Sequence, residues 1–559
     1  MDGTLRLYGS LLWRAFDRAT ADPRAQQEAL LLRLLRANAD TAFGRDFGFA
    51  RIRSVADYRR QVPVADYEAF RPYVARIDRG ERHVLTRARL HCFLLTSGTT
   101  GAPKLVPLTR AAEREGARLA ALWLYRARHD HPRLLAGKTL VVVDRAVAGR
   151  TPGGVPYGSA SGQLYRSAAW LLRRQCVALG PAPRIPDYEA RYYTLLRLGI
   201  AADVSFLATP NPSTVLRLVD VGDRYAADLI RDVHDGTLAP WLAISAALRA
   251  ELEAPLRPDP ARARQLERCV RQAGRLRPRE CWPSLQLLGC WKGGSVGIHL
   301  ERLRPWLPEG AATRDLGYLA SEGQFSLPLD DGGASGVLAL GSAFYEFLPL
   351  DEEGELAGAP LLADELSAGA DYRVLLTTHS GLYRYDINDV VRVTGWHRQT
   401  PLIEFVRKGA DMASITGEKL HVDQVIAAMR RAAEAARLPL PQYCLQADAE
   451  NSRYELLLEL PPPLPDAASV ARLAAALDAC LAELNLEYRA KRASGRLHAP
   501  VARVMRPGWA ERRAREQAAR RGSQAQAKPR LLSPQRDACA AADVLFTADP
   551  GAHRRPLRP

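Results

Sequence analysis

Residues Thr96 to Lys104 read Thr-Ser-Gly-Thr-Thr-Gly-Ala-Pro-Lys and follow directly on the apolar run Phe93-Leu94-Leu95. The nine positions hold four hydroxyls, two glycines and one lysine. A strand that runs into such a loop gathers backbone N–H groups, hydroxyls and a cation around one small volume. The ligand that suits this volume is the β- and γ-phosphate pair of a nucleotide. Gly98 and Gly101 let the backbone come close, Thr96, Ser97, Thr99 and Thr100 donate hydrogen bonds, and Lys104 adds charge where the phosphates are densest. The spacing is not Gly-x4-Gly-Lys-Ser/Thr, so this is not a Walker A loop.

Further along, Tyr318-Leu-Ala-Ser321-Glu322 offers three groups that a nucleotide could use. Tyr318 has an aromatic face for a base, Ser321 a donor for the α-phosphate, and Glu322 a hard oxygen for Mg2+. The same five residues would also serve as a plain surface turn. Gly381-Leu-Tyr-Arg-Tyr-Asp-Ile-Asn-Asp389-Val-Val reads as a strand, a turn and another strand, with Asp389 the candidate to chelate two ribose hydroxyls. Asp386 is its rival and the better turn residue. Arg407-Lys408-Gly409 follows a strand and suits either a hinge that holds a ribose or phosphate, or a polar linker. Lys528 lies in the loop Gly522 to Arg530, from which it could neutralise charge that develops as a carboxylate attacks the α-phosphate.

The elements that must position these residues follow from periodicity. The first ninety residues read as helices: Leu5, Leu11, Leu12 and Phe16, then Ala29, Leu30, Leu32, Leu34 and Leu35, fall near helical spacing, and a proline breaks the stretch Tyr58 to Val74. A helix from about Arg110 and a strand near Thr139 to Val143 come next. Thr151 to Gly162, rich in Gly, Pro and Ser, reads as loop. Helical stretches then alternate with short apolar runs (Val204 to Leu207, Leu285 to Leu288), which predicts an α/β domain with a partly parallel sheet. After Gly336 six strand-like runs, among them Leu382 to Tyr385 and Leu402 to Val406, predict a β-rich subdomain. The tail predicts helices over Val422 to Ala435 and Ala467 to Leu484 and a strand over Tyr454 to Leu460. The expected fold class is therefore α/β, with an N-terminal domain over 1–407 and a smaller α+β domain over 408–559.

Bulk properties narrow the function. A chain of 559 residues fits two or three domains, and 47% hydrophobic with 25% charged residues is ordinary globular composition. The start carries an early acid and no signal peptide is evident. No apolar run approaches the about 18 residues that a membrane span needs. Eight scattered cysteines without a Cys-x-x-Cys pair suit free thiols in a reducing cytoplasm rather than a disulfide frame or zinc site. The net charge of +16 comes from arginine spread along the whole length. The densest cluster, Arg506 to Arg521, reads as a solvated helix, so nucleic acid is not the expected partner.

Taken together, these strings resemble the acyl acid–amido synthetases, the Gretchen Hagen 3 auxin-responsive branch of the acyl-adenylate-forming superfamily. The resemblance covers nearly the full length. It rests on Tyr-Arg-Arg-Gln-Val-Pro-Val-Ala-Asp-Tyr from Tyr58, the Thr96 loop, Tyr318 to Glu322, Leu-Tyr-Arg-Tyr…Asp-Val-Val-Arg-Val-Thr-Gly from Leu382, Thr400-Pro-Leu-Ile-Glu-Phe, Asn485 to Arg492 and Gln526 to Arg530. Two departures stand out: the phosphate loop is closer to the general superfamily form, and Asn388 stands where a glycine usually precedes the ribose aspartate.

The resemblance implies a two-step ligase that uses ATP and Mg2+. A carboxylic acid would form an acyl-adenylate, and an amine, an amino acid in this branch, would then take the acyl group. It also implies that Gly293, Gly294 and Ser295, after the apolar Leu285–Gly289 stretch, pass the adenine with Tyr318. Lys104, Glu322 and Lys528 would be catalytic, Glu322 would hold the metal, Asp389 the ribose, and Arg407 to Gly409 would be the pivot between steps. Trp123 to Tyr165 and Leu207 to Leu216 could line the acyl pocket. The expected protein is a cytoplasmic monomer that acts on small molecules. Coenzyme A as acceptor, or a non-catalytic nucleotide- or nucleic-acid-binding protein, are the alternatives.

Overall fold

The computed structural model describes residues 2–95, 104–143, 145–167, 174–177, 180–293, 298–351, 356–408, 412–413, 415, 418, 420–448, 450–493, 497–521, 530–533, 536 and 543–549. The chain forms two compact units. One comprises residues 1–350, 356–387 and 391–405, the other 351–355, 388–390 and 406–559.

In the first unit the strands are, in chain order, β1 (Leu90–Leu95), β2 (Leu105–Thr109), β3 (Lys138–Val141), β4 (Gly149–Arg150), β5 (Pro156–Gly158), β6 (Val204–Ala208), β7 (Leu287–Gly289) and β8 (Ala312–Arg314). There follow β9 (Leu319–Ala320), β10 (Gly323–Gln324), β11 (Ser326–Leu327), β12 (Gly336–Leu338), β13 (Ala343–Pro349), β14 (Asp371–Thr378), β15 (Tyr385–His397) and β16 (Thr400–Lys408). They build a four-stranded sheet in the order β2-β1-β5-β4, a second in the order β3-β6-β7-β8, a six-stranded sheet β11-β12-β16-β15-β14-β13, and the pair β10-β9.

The β3-β6-β7-β8 sheet is parallel at every pairing, as its alternation with helices requires. Helices such as Tyr188–Ile200, Ser213–Arg224 and Pro260–Ala273 accompany it, and its core gathers Leu140, Tyr193, Leu207, Leu229 and Trp282. A larger core joins the N-terminal helices to the six-stranded sheet through Leu31, Phe43, Tyr58, Phe70, Phe344, Tyr383 and Tyr385. The helix break that the proline stretch predicts separates Val55–Gln61 from Tyr67–Asp78, each capped by a side chain, Ser54 and Asp66.

Two local readings are corrected. The stretch Thr151 to Gly162 is not all loop: β5 and the start of the helix Ala160–Ser167 lie within it. Tyr157 and Gly158 pair with Phe93 and Leu94, a non-local pairing that turn-forming composition does not reveal. Nor is Gly381 to Val391 a strand, a turn and another strand. Leu382 to Arg384 lie outside the strands, and β15 then runs without a break from Tyr385 to His397. Asp386 is a strand residue whose carboxylate is paired with Arg373 at 2.6 Å.

The second unit, taken by itself, contains β17 (Met412–Ala413), β18 (Leu420–His421), β19 (Gln442–Asp448), β20 (Arg453–Glu459), β21 (Val501–Met505), β22 (Leu532–Ser533) and β23 (Val544–Ala548). Its five-stranded sheet has the order β22-β19-β20-β21-β23, and the helices Val422–Ala435 and Ala467–Leu484 occupy the ranges their periodicity predicts. Among the described residues no helix is long and apolar enough to cross a membrane.

Candidate active site

The strands β1 and β2 form an antiparallel hairpin in which Leu95 pairs with Leu105, so the ends of the segment 96–104 are held at neighbouring positions. Thr96, Ser97, Gly98, Thr99, Thr100 and Gly101 themselves lie outside the described residues, as do Gly294, Ser295, Gly409 and Lys528. What the structure describes is the frame around that segment. Leu105 is fixed by Tyr67, whose hydroxyl donates to its carbonyl at 2.9 Å and accepts from its N–H at 2.8 Å. Tyr67 is the first residue of the helix Tyr67–Asp78, so the helix N-terminus is tied to the exit of the loop. Lys104 is half-buried, with Nζ 5.5 Å from the centre of the Tyr67 ring.

The Tyr318 to Glu322 string arrives at the same end of the hairpin, on the β1 side. It is a tight turn between β9 and β10, with Gly323 facing Ala320 and Gln324 facing Leu319. The Ser321 hydroxyl donates to the carbonyl of Leu95, the last residue of β1, at 3.3 Å. Burial raises the Tyr67 hydroxyl above its usual range, and the charge of Glu322 adds to that shift, which places the carboxylate within electrostatic reach of the Tyr67–Lys104 side. A lysine from one segment and a hydroxyl and a carboxylate from another thus converge on the mouth of the phosphate-loop sequence. That donor set fits a nucleotide triphosphate, and a single carboxylate beside phosphates fits Mg2+, which completes its shell with phosphate oxygens and water.

Tyr318 is only 6% exposed. Its ring stacks on Phe405 at 5.8 Å between centroids and meets Phe325 at 5.1 Å, so its orientation is set by the core around it. Gly293 sits hard against β16: a Cβ there would meet the Ala334 methyl at 3.0 Å and the Phe405 carbonyl at 3.1 Å. A side chain at 293 would press on both neighbours, so glycine suits this close approach. Asp389 is 2% exposed, in the middle of β15, and Asn388 before it is left-handed at φ 57. That conformation explains the departure at position 388, because asparagine is among the few residues that take the place of glycine there. Arg407 belongs to β16, and its side chain lies outside the described residues.

Two residues that frame this region carry no chemical signal of their own in the sequence. Tyr67 is one; it closes the family-like string from Tyr58, which assigns it no role. The other is Asp315, just beyond β8. Its carboxylate accepts the N–H of Lys292 and the N–H of Gly317, each at 2.6 Å, and its carbonyl accepts the Trp123 indole N–H at 2.7 Å. Trp123 itself is buried against Phe206, so it packs the core as well as the expected acyl-pocket segment.

The chain has matches among known families and proteins. The description "GH3 family N-terminal domain" fits residues 12–311, "GH3 family central domain" residues 336–408, and "GH3 family C-terminal domain" residues 423–537. The chain belongs to the GH3 family. Among its relatives, "Probable indole-3-acetic acid-amido synthetase GH3.1" of Oryza sativa subsp. japonica is 28% identical over 87% of this chain and 83% of its own length. "Jasmonoyl--L-amino acid synthetase JAR4" of Nicotiana attenuata is 24% identical over 72% of each chain. The solved structure "AtGH3.15 acyl acid amido synthetase in complex with 2,4-DB" superposes with a TM-score of 0.84 at 20% identity over 97% of both chains. At that identity the structural likeness is one of fold.

Proposed function

We propose that this GH3 protein is an ATP-dependent ligase that activates a carboxylic acid as an acyl-adenylate and passes the acyl group to an amine, an amino acid, to form an amide. The observation that carries the reading is the Ser321–Leu95 hydrogen bond. It brings the Tyr318 to Glu322 string to the end of the strand that leads into the Thr96 to Lys104 sequence. The names of the relatives, which span several unrelated acids, support the reaction class and leave the acid open.

In the first step a carboxylate oxygen of the acid attacks the α-phosphorus of ATP. A new P–O bond forms, the bond to the β-phosphate oxygen breaks, and pyrophosphate leaves. Lys104, with Thr96, Ser97, Gly98, Thr99, Thr100 and Gly101, holds the phosphates. Glu322 is the residue that would hold Mg2+, which would supply charge to offset that of the phosphates. Lys528 stabilises the charge that develops on the α-phosphate. Gly293, Gly294, Ser295 and Tyr318 bound the adenine, Ser321 lies beside the α-phosphate, and Asp389 binds the ribose. In the second step the amine nitrogen attacks the acyl carbon, the C–O bond to AMP breaks, AMP leaves with the electron pair, and the nitrogen loses a proton to water. Arg407 to Gly409 is the pivot between an adenylating domain over 1–407 and a small domain over 408–559. The enzyme acts in the cytoplasm as a monomer.

The experiment is ATP–pyrophosphate exchange with Mg2+ over a panel of aromatic and aliphatic acids, with Lys104→Ala and Glu322→Ala alongside. Acid-dependent exchange that both variants lose supports the reading. A wild-type protein that binds no ATP–Mg2+ overturns it. Once an acid is found, amino acids and coenzyme A offered in parallel identify the acceptor by amide or thioester product.

A further inference from the structure

Two segments bound the proposed base site, Lys292–Gly293 and Gly317–Tyr318, and they come from different parts of the chain. One carboxylate joins them. Asp315 is 3% exposed, and its Oδ2 accepts the Lys292 N–H while its Oδ1 accepts the Gly317 N–H, each at 2.6 Å. Both segments are otherwise tightly set. The Lys292 ammonium donates to the carbonyls of Asp331 and Thr313, and Gly293 lies against the Phe405 carbonyl. Gly317 is left-handed at φ 89 with the Ser326 carbonyl only 2.4 Å from where a Cβ would stand, and the Tyr318 N–H donates to the Ser326 hydroxyl at 2.9 Å. Each segment thus has its own anchor; the β7–β8 pairing and the Cys290 N–H on the Arg314 carbonyl at 3.1 Å set the strand ends, and beyond them the Asp315 carboxylate bonds both segments at once.

We infer that Asp315 is a positioning residue for the base site: its ionised carboxylate fixes the width of the slot between the Gly293 segment and Tyr318. The inference rests on the nucleotide-site reading above. An ionised carboxylate accepts at both oxygens, whereas an asparagine accepts at one and presents an N–H to the other donor. A protonated carboxyl likewise turns one acceptor into a donor. Burial pushes the Asp315 carboxyl up to about 6, which puts this loss within reach of ordinary buffers. The ionisable groups that face it are Lys292 on its own loop, Glu404 on β16, Cys290 after β7 and the neighbouring Arg314. Burial raises Glu404 as well, so that residue needs a control.

The test compares Asp315→Asn with wild type in pyrophosphate exchange at pH 8. KM for ATP is expected to rise about tenfold, the change one lost hydrogen bond to a charged acceptor produces, while KM for the acid moves less than about threefold. A KM for ATP within about twofold of wild type, or equal rises for ATP and acid, overturns the inference. A second measurement needs no folded variant at Asp315: binding of adenosine, which carries no phosphate, to the wild-type protein between pH 5 and 8. Its affinity is expected to fall as pH drops through about 6, in wild type and in Glu404→Gln alike. A flat profile, or one that disappears in Glu404→Gln, overturns it. Acid-dependent exchange in wild type shows that the nucleotide reading stands whichever way Asp315 behaves.

Discussion

Lys104 and Lys292 both stand beside glycine-bearing segments, yet they meet opposite surroundings. The Lys292 ammonium donates to the carbonyls of Asp331 at 2.6 Å, Thr313 at 3.3 Å and Gly332 at 3.4 Å. An ammonium has three donors, and here the protein uses all three. Lys104 has, among the described residues, the Tyr67 ring beneath it and no acceptor within hydrogen-bond distance. A lysine already saturated by the fold holds the fold. A lysine that keeps its donors has them to give to a ligand.

Glu346 is an acid that the fold saturates in the same way. Glu346 is 1% exposed and is taken by two guanidiniums: Arg384 at 2.8 and 3.2 Å and Arg59 at 2.8 Å. Arg384 also donates to the Val62 carbonyl at 2.8 Å, so this cluster fastens the helix break near Pro63 to the start of β15. Glu346→Ala leaves the buried Arg384 without its counter-charge, and stability is expected to fall by about 3–5 kcal/mol in chemical unfolding. If the midpoint instead barely moves, burial and saturation do not mark a structural acid in this protein, and the comparison fails at its strongest point.

The two lysines should divide between activity and stability. Lys104→Ala is expected to lower exchange by about 10²- to 10³-fold, the scale for losing one preorganised donor at a site of developing charge. Its unfolding free energy should stay within about 0.5 kcal/mol of wild type. Lys292→Ala is expected to behave in the opposite sense, with a loss of about 2 kcal/mol in stability and the smaller loss of exchange. A Lys292 variant that keeps its stability but loses exchange as fully as Lys104→Ala would reverse the assignment.

How much of this was legible in the sequence follows from the range of the contacts involved. The helices Val422–Ala435 and Ala467–Leu484, and the alternation of helices with short strands that gives the β3-β6-β7-β8 sheet, are written in periodicity, which is local. The strings at Tyr318 and Lys104 are legible because their residue types are unusual in combination. Tyr67 and Asp315 are not, because a tyrosine at a helix start and an aspartate after a strand look the same whether or not they bind a distant N–H. β15 was misread for a related reason. Asp386 and Asn388 are turn-forming types, but Arg373 across the sheet holds the first in the strand, and a left-handed φ accommodates the second without breaking it.

A smaller test sharpens the contrast at Tyr67, which belongs to both classes. Its hydroxyl is saturated by Leu105, yet its ring lies under Lys104. Tyr67→Phe keeps the ring and removes the hydroxyl. Stability is expected to fall by about 1 kcal/mol, and exchange to drop far less than in Lys104→Ala, because the cation keeps its platform. Tyr67→Ala, which removes the platform too, should cost exchange more than stability measurements alone would suggest.

The smallest effect is expected at Asn388, and it bears on Asp389, the acid proposed for the ribose. A left-handed residue within a strand bends the chain locally and re-aims the side chain that follows, as a bulge does. Asn388 at φ 57 does this immediately before the buried Asp389. Asn388→Gly keeps the conformation open to the backbone, so stability should stay within about 1 kcal/mol of wild type and KM for ATP should hold. Asn388→Ala places a Cβ in a conformation that costs it about 1–2 kcal/mol, which the strand can relieve only by turning Asp389 away. The expected signature is therefore a rise in KM for ATP in the alanine variant and none in the glycine variant. Equal KM values in both would mean that the backbone at 388 does not aim Asp389, and that the glycine-or-asparagine requirement there is a matter of strand shape alone.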